Sequence, residues 1–198
     1  MLRRSDADKS STQGLRRPWS RAAAALRNTL QAALIFAVLA LLSSAAMAEV
    51  PRLAVFNFEL IDTSLEGEIA GARAEEQQRL KVISDQLRQL LTEKGYTVVD
   101  FAPVADVIAK AAPLHRCNGC AARIAEQLGA RLALTGTVQK VSNLILNINV
   151  FVWDAKTGQE RNRTSVDIRG NNDESWSRGV SYLVRNRLVE ALDKIGAD

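Results

Sequence analysis

Two cysteines three residues apart, in the run Cys117-Asn-Gly-Cys120, are the residues of this 198-residue chain whose type and spacing most plainly invite chemistry. In an oxidising compartment two cysteines without a third pair with each other, and the motif then staples a short loop. A second reading starts from a helix expected to begin at Cys117 or Asn118. Its macrodipole would lower the Cys117 pKa and favour the thiolate, making Cys117 the nucleophile and Cys120 the resolving thiol of a thiol-disulfide enzyme. Against this, the motif follows Pro113-Leu-His-Arg between two expected helices, rather than following directly on a strand. A third reading adds His115, the only histidine, which offers three soft ligands with Cys117 and Cys120. A fourth ligand would have to be a carboxylate or water, so the simpler reading is an exposed loop histidine and no bound metal. Ala121 after Cys120 excludes haem attachment.

Other polar groupings are less pointed. Glu59, Asp62, Glu66 and Glu68 follow the first expected strand, where α/β proteins place ligands, and their oxygens would suit calcium. Their spacing fits no ligand loop, so a solvated acidic loop is expected. The run Asn171-Asn-Asp-Glu-Ser-Trp176 is denser in polar residues than a helix cap requires. One reading has Asp173 capping a helix and Trp176 packing into the core. The other makes Arg169, Asn171, Asp173, Glu174, Trp176 and Arg178 a recognition surface. Neither a Ser-His-Asp set, a phosphate-cradling glycine loop nor a HExxH motif occurs, so no catalytic residue and no cofactor are assigned.

The elements that must position these residues begin after a leader. Thr29 to Ala45 is an apolar run preceded by Arg16, Arg17, Arg21 and Arg27 and followed by Ala46-Met-Ala48, the order of a secretory signal cleaved before Glu49. Residues 1–14 read as an over-extended start, and no cysteine stands near the cleavage site to carry a lipid. The leader holds seven of the 26 Lys/Arg and two of the 22 Asp/Glu, leaving 19 and 20, a net −1, for residues 49–198. The +4 of the whole chain therefore belongs to the leader, and nucleic-acid binding loses its electrostatic basis. With 47% hydrophobic and 24% charged residues, the remainder reads as one globular domain with no membrane span after cleavage.

Along that domain, Arg52 to Phe58 reads as a buried strand, Ile61 to Gly71 as a loop, and Ala72 to Lys94 as a helix with Leu80, Ile83, Leu87, Leu90 and Leu91 on its stripe, ended by Gly95. Tyr96 to Asp100 is a second strand, joined to the first by a parallel crossover. Pro103 opens a helix to Ala111, and a third helix runs to Gly129. Arg131 to Val138, Leu144 to Trp153 and Glu160 to Arg169 then form an antiparallel meander. In its middle strand Leu146, Ile148, Val150 and Val152 share one side. Asn147, Asn149, Phe151 and Trp153 share the other, which a helix is expected to cover in preference to leaving an exposed patch. A last helix from Asp173 carries Trp176, Val180, Leu183, Leu188, Leu192 and Ile195. The expectation is an α/β (α+β) domain, order β-α-β-α-α-β-β-β-α, with a mixed sheet of about five strands.

This order, together with Leu-Ala-Val-Phe-Asn-Phe, Gly-Tyr-Thr-Val-Val, Leu-Gly-Ala-Arg-Leu-Ala-Leu-Thr-Gly-Thr-Val and Asp-Ala-Lys-Thr-Gly, resembles the amino-terminal domain of TolB and the related CsgG-type envelope domains over about residues 52–169. It is also similar to a family of secreted proteobacterial proteins of unknown function that share the Cys-x-x-Cys and the Asp-Ile-Arg-Gly-Asn-Asn-Asp-Glu-Ser-Trp run at 167–176. The resemblance implies a fold and a periplasmic location. TolB's carboxy-terminal propeller is absent, so its contacts do not transfer. The expected function is a soluble periplasmic accessory domain that binds an envelope or periplasmic protein, with the thiol-disulfide enzyme as its rival.

Overall fold

The computed structural model describes residues 50–197; the expected leader and its cleavage lie outside them. Five strands form one mixed sheet in the order β2-β1-β3-β4-β5. They are β1 (Arg52–Asp62), β2 (Thr97–Val98), β3 (Leu132–Lys140), β4 (Ile145–Asp154) and β5 (Glu160–Arg169). β1 runs parallel to β2 and β3, and β3, β4 and β5 are the antiparallel meander. The helices are α1 (Leu65–Ala70), α2 (Ala74–Glu93), α3 (Ala105–Ala111), α4 (Cys120–Gln127), α5 (Asp173–Leu183) and α6 (Val189–Ala197). The α/β class and the order of elements stand as read from the sequence, with one helix added and one divided.

The added helix replaces the loop expected from Ile61 to Gly71. β1 continues to Asp62 because β3 is long enough to pair with it there, through Ile61↔Gln139 and Asp62↔Lys140. Thr63 N–H then donates to Lys140 O at 2.9 Å. Ser64 caps α1 by accepting from Gly67 N–H at 3.1 Å. A register shift between Val55 and Phe58 puts one extra residue in β1, so Leu53, Val55 and Phe58 face the same core. Gly136 lies opposite Phe58, and a Cβ there would come within 2.3 Å of its ring. The second strand is only Thr97–Val98 rather than Tyr96 to Asp100, since it pairs with β1 only at Arg52 and Leu53.

The divided helix has a geometric cause. Trp176 to Ile195 spans five steps of the stripe, and at ~100° per residue a straight α-helix would rotate the last apolar residue roughly a quarter turn off the core. A π-turn at Val184–Leu188 takes up the extra residue. Trp176, Val180, Leu183, Leu188, Leu192 and Ile195 are then all buried.

The sheet's two faces are packed unequally. On one, Leu132, Leu134, Leu146, Ile148, Val150 and Val152 meet Leu80, Ile83, Leu87 and Leu91 of α2 and the stripe of α5 and α6. Gly179 lets α5 approach, since a Cβ would come within 2.7 Å of Ile168. On the other, Ala54, Phe56 and Ala133 meet Ala121, Ile124 and Ala125 of α4 and Leu114. This second layer ends before it covers β4 and β5.

Candidate functional site: a cleft beside the disulfide loop

Where the second layer ends, a concave site of about 460 Å³ opens against the sheet. Its floor is Thr135 and Thr137 of β3 and Phe151 and Trp153 of β4, with Arg163 and Glu160 of β5 on one bank and the 114–119 loop on the other. Strand alternation dictates the floor, because odd-numbered residues of β3 and β4 face away from the larger core. Phe151 and Trp153 stack with ring centroids 6.2 Å apart. Arg163 lies over the Phe151 ring, 4.8 Å from its centre, and holds Glu160 through two hydrogen bonds of 3.1 and 2.9 Å. Trp153 Nε1 donates to Thr135 Oγ1 at 3.0 Å, fixing the indole while leaving part of it exposed. The row Asn147, Asn149, Phe151 and Trp153 is thus only partly covered, because α4 is eight residues long.

Glu59 holds the opposite bank in place. Its carboxylate accepts from the N–H of Leu114 at 2.6 Å and of His115 at 2.9 Å, and contacts His115 Nδ1 at 2.7 Å. His115 is exposed, as expected, and its ring is tied back to Glu59 of the sheet. Among the described residues no group of acids, cysteines and histidine is placed to hold a metal ion.

Cys117 and Cys120 are bonded to each other, with Cα atoms 5.6 Å apart. The helix expected to start at Cys117 or Asn118 starts at Cys120, because Gly119 adopts φ 76°, a left-handed cap that only glycine takes without strain. The helix terminus thus lies at Cys120, and Arg123 donates to Cys120 Sγ at 3.3 Å. The helix dipole therefore acts at Cys120 and not at Cys117.

The run 169–178 is distributed rather than gathered. Asn172, not Asp173, caps α5, accepting from Ser175 N–H at 2.9 Å. Asp173 is bound by Arg79 Nε at 2.6 Å, and Glu174 pairs with Arg178 at 3.2 Å on the surface. Trp176 is 0% exposed and donates to Asn171 Oδ1 at 3.1 Å, so it belongs to the core and cannot touch a partner. Asn171 turns inward, donating to Glu76 Oε1 at 2.7 Å. Arg169, Asp173, Glu174 and Arg178 remain at the surface.

Glu76 belongs to a cluster that the sequence reading missed. Lys140 is fully buried, 2.6 Å from Glu76 Oε1, 3.1 Å from Asp62 Oδ2 and 3.6 Å from Glu66 Oε2. Asp62 and Glu66, expected in a solvated acidic loop, instead close over this ammonium. Burial alone would raise the Asp62 and Glu76 pKa values, but hydrogen bonds outweigh it and hold both below the ordinary range: Ser64 and Lys140 on Asp62, and Lys140, the Arg73 N–H and Asn171 on Glu76. Burial would lower Lys140, and the carboxylates of Glu76 and Asp62 hold it above its usual value. A signal was available: Lys140 stands on the inward parity of Leu132, Leu134 and Val138, and Glu76 stands four residues before Leu80 on the stripe of α2.

The model of a family described as "Protein of unknown function (DUF2380)" matches residues 51–188. The chain belongs to that family. No curated protein matches it. Among solved structures it is similar to the LpoB C-terminal domain from Salmonella enterica, at 17% identity over 67% of this chain and 92% of that one, TM-score 0.45. It is also similar to lipoprotein GNA1162 from Neisseria meningitidis, at 18% identity over 70% and 99%, TM-score 0.46. Likenesses at this level assign neither partner nor activity. Among the described residues no helix is long and apolar enough to cross a membrane.

Proposed function

We propose that this chain is a periplasmic accessory domain, residues 49–198 after removal of the leader, that binds an envelope or periplasmic protein through the half-covered face of its sheet. The observation that carries this reading is the cleft itself, where a stacked Phe151–Trp153 pair with Arg163 over one ring is left open at the end of α4. An aromatic floor with a cationic rim suits an apolar or aromatic side chain flanked by a carboxylate, as interface anchors are. The TolB-like order of elements and the absence of a cysteine near Ala48 favour an exported, unlipidated chain. A photo-crosslinking side chain at Phe151, compared with one at Gln89 on the exposed side of α2, tests the reading. A discrete adduct in periplasm from Phe151 alone is expected; equal labelling from both positions, or none, overturns it.

A second reading, thiol-disulfide exchange, draws on Cys120 as the first residue of α4 with the Arg123 guanidinium at its sulfur. Both would stabilise a Cys120 thiolate. The reduction potential decides: a structural bridge lies below about −300 mV, and an exchanging pair well above it.

A further inference from the structure

We propose that the outer edge of β5 is a strand-addition site for an extended, acidic segment of a partner protein. The proposal rests on the reading of the domain as a protein-binding module, but not on the cleft.

β5 is the last strand of the sheet, and among the described residues no strand pairs with its far side. The direction of its backbone groups follows from two bonds. Gly170 N–H crosses the ladder to Leu144 O, whereas Arg169 O turns away and accepts from Ser175 Oγ at 2.8 Å. In an antiparallel ladder, residues alternate between bonding inward and facing outward, so Arg163, Ser165 and Asp167 present their N–H and C=O groups to the free edge. Such an edge is a template for an added strand.

Beside this edge runs a groove of about 310 Å³, bounded by Asn162 to Ser165 and by Asn186, Arg187, Glu190, Ala191 and Lys194 of the last helical run. Two buried oxygens of its wall, Thr164 Oγ1 and Asn162 Oδ1, have no hydrogen-bond partner among the described residues, and Thr164 is only 8% exposed. These side chains stand on the helix-facing side of β5, as their even numbers dictate, and the free edge itself is offered by the backbone groups of the residues between them. The lining carries Arg163, Arg187 and Lys194 against the single carboxylate of Glu190. Glu160 and Glu190 pair with Arg163 and Lys194, while Arg187 and Arg169 have no carboxylate partner among the described residues. Charged side chains keep like-charged strands off an edge, and here Glu160, Asp167 and Glu190 do not cancel Arg163, Arg169, Arg187 and Lys194. This excess of one sign repels a second copy of the same edge and selects an acidic occupant.

The test uses protein purified after expression of the full chain and a labelled peptide, acetyl-Ser-Glu-Val-Thr-Val-Glu-Ser-amide, with its lysine-for-glutamate counterpart as control. Anisotropy titration should show binding of the acidic peptide and affinity lower by about tenfold or more for the basic one. Hydrogen exchange should show protection of the Arg163, Ser165 and Asp167 amides. Ser165→Pro removes an outward N–H at a position where an edge strand tolerates proline, and Arg187→Glu reverses the exposed charge. Each should weaken binding by about tenfold or more, while Gln89→Ala on the exposed side of α2 leaves it unchanged. If Ser165→Pro unfolds the domain, Arg187→Glu decides. No binding, equal binding of both peptides, or indifference to Arg187→Glu overturns the proposal. Protection at residues 114–123 instead of β5 also overturns it, yet leaves the cleft reading standing.

Discussion

The two faces of the sheet are built from the same strands, yet one is closed by helices and the other is left half open. On the closed face, branched and aromatic side chains from β1, β3 and β4 meet three helices, and Trp176, Phe58 and the leucines of α2 leave almost nothing exposed. On the other face alanines predominate, beside Phe56, Leu114 and Ile124, under α4 with Ile108 and Ala111 of α3 packed at its margin. Small side chains let α4 lie close, but bury little area per residue, at about 25 cal/mol per Å². Phe56 is covered there, whereas Phe151 and Trp153 stand beyond the end of α4 and line the cleft. Where side chains are large and covered, their loss costs folding. Where they are large and uncovered, they are available to a partner.

Substitutions on each face sharpen this contrast, and the largest effect is expected at Trp176. Trp176→Ala should destabilise by about 3–5 kcal/mol, the range for a buried large aromatic, read as a fall in the denaturant midpoint. An unchanged midpoint would mean that the closed face is not the source of stability.

Lys140→Met should cost nearly as much, about 3–5 kcal/mol, because it strands Glu76 as an unpaired buried charge. Combining it with Glu76→Leu should recover much of the loss, and a double variant worse than the single would contradict the pairing. The same cluster fixes a pH dependence. Asp62 and Glu76 have depressed folded-state pKa values, so their contribution is present above the unfolded carboxylate range and is lost as pH falls through the folded values. Lys140 is raised, so its contribution holds below its unfolded value and is lost only as pH rises past the folded one. Wild type should therefore lose stability on acidification more steeply than the Lys140→Met/Glu76→Leu double variant in parallel urea melts.

Replacing Cys117 and Cys120 together by Ala should cost about 2 kcal/mol at most, since the closed loop is so short that it removes little unfolded-state entropy. Calorimetry of the oxidised and doubly substituted proteins measures this. The smallest stability effect is expected on the open face: Phe151→Ala gives up one stacking contact and one cation–π contact, about 1 kcal/mol. Loss of the partner adduct together with a near-normal midpoint would separate the two faces cleanly, and a large fall in midpoint would erase the distinction.

Periodicity alone determined a good deal. Alternation along Leu146, Ile148, Val150 and Val152, and helical spacing along Leu80, Ile83, Leu87 and Leu91, specify which side of each element is buried, because a side chain's direction follows from its place in the local repeat. The turn glycines and the Asp154–Gly158 turn set where strands end, and with them the meander. Periodicity also carried an unread message at Lys140 and Glu76, charged residues on otherwise apolar faces. What it cannot carry is the meeting of elements distant in the chain. Lys140 finds Glu76 across 64 residues, His115 finds Glu59 across 56, and Arg79 finds Asp173 across 94. Tertiary packing alone decided that Trp176 lies in the core while Asp173 is held by α2, and that α4 stops short of Phe151. Those outcomes depend on the lengths of neighbouring elements and on which partner lies within hydrogen-bond reach, and no local repeat encodes either.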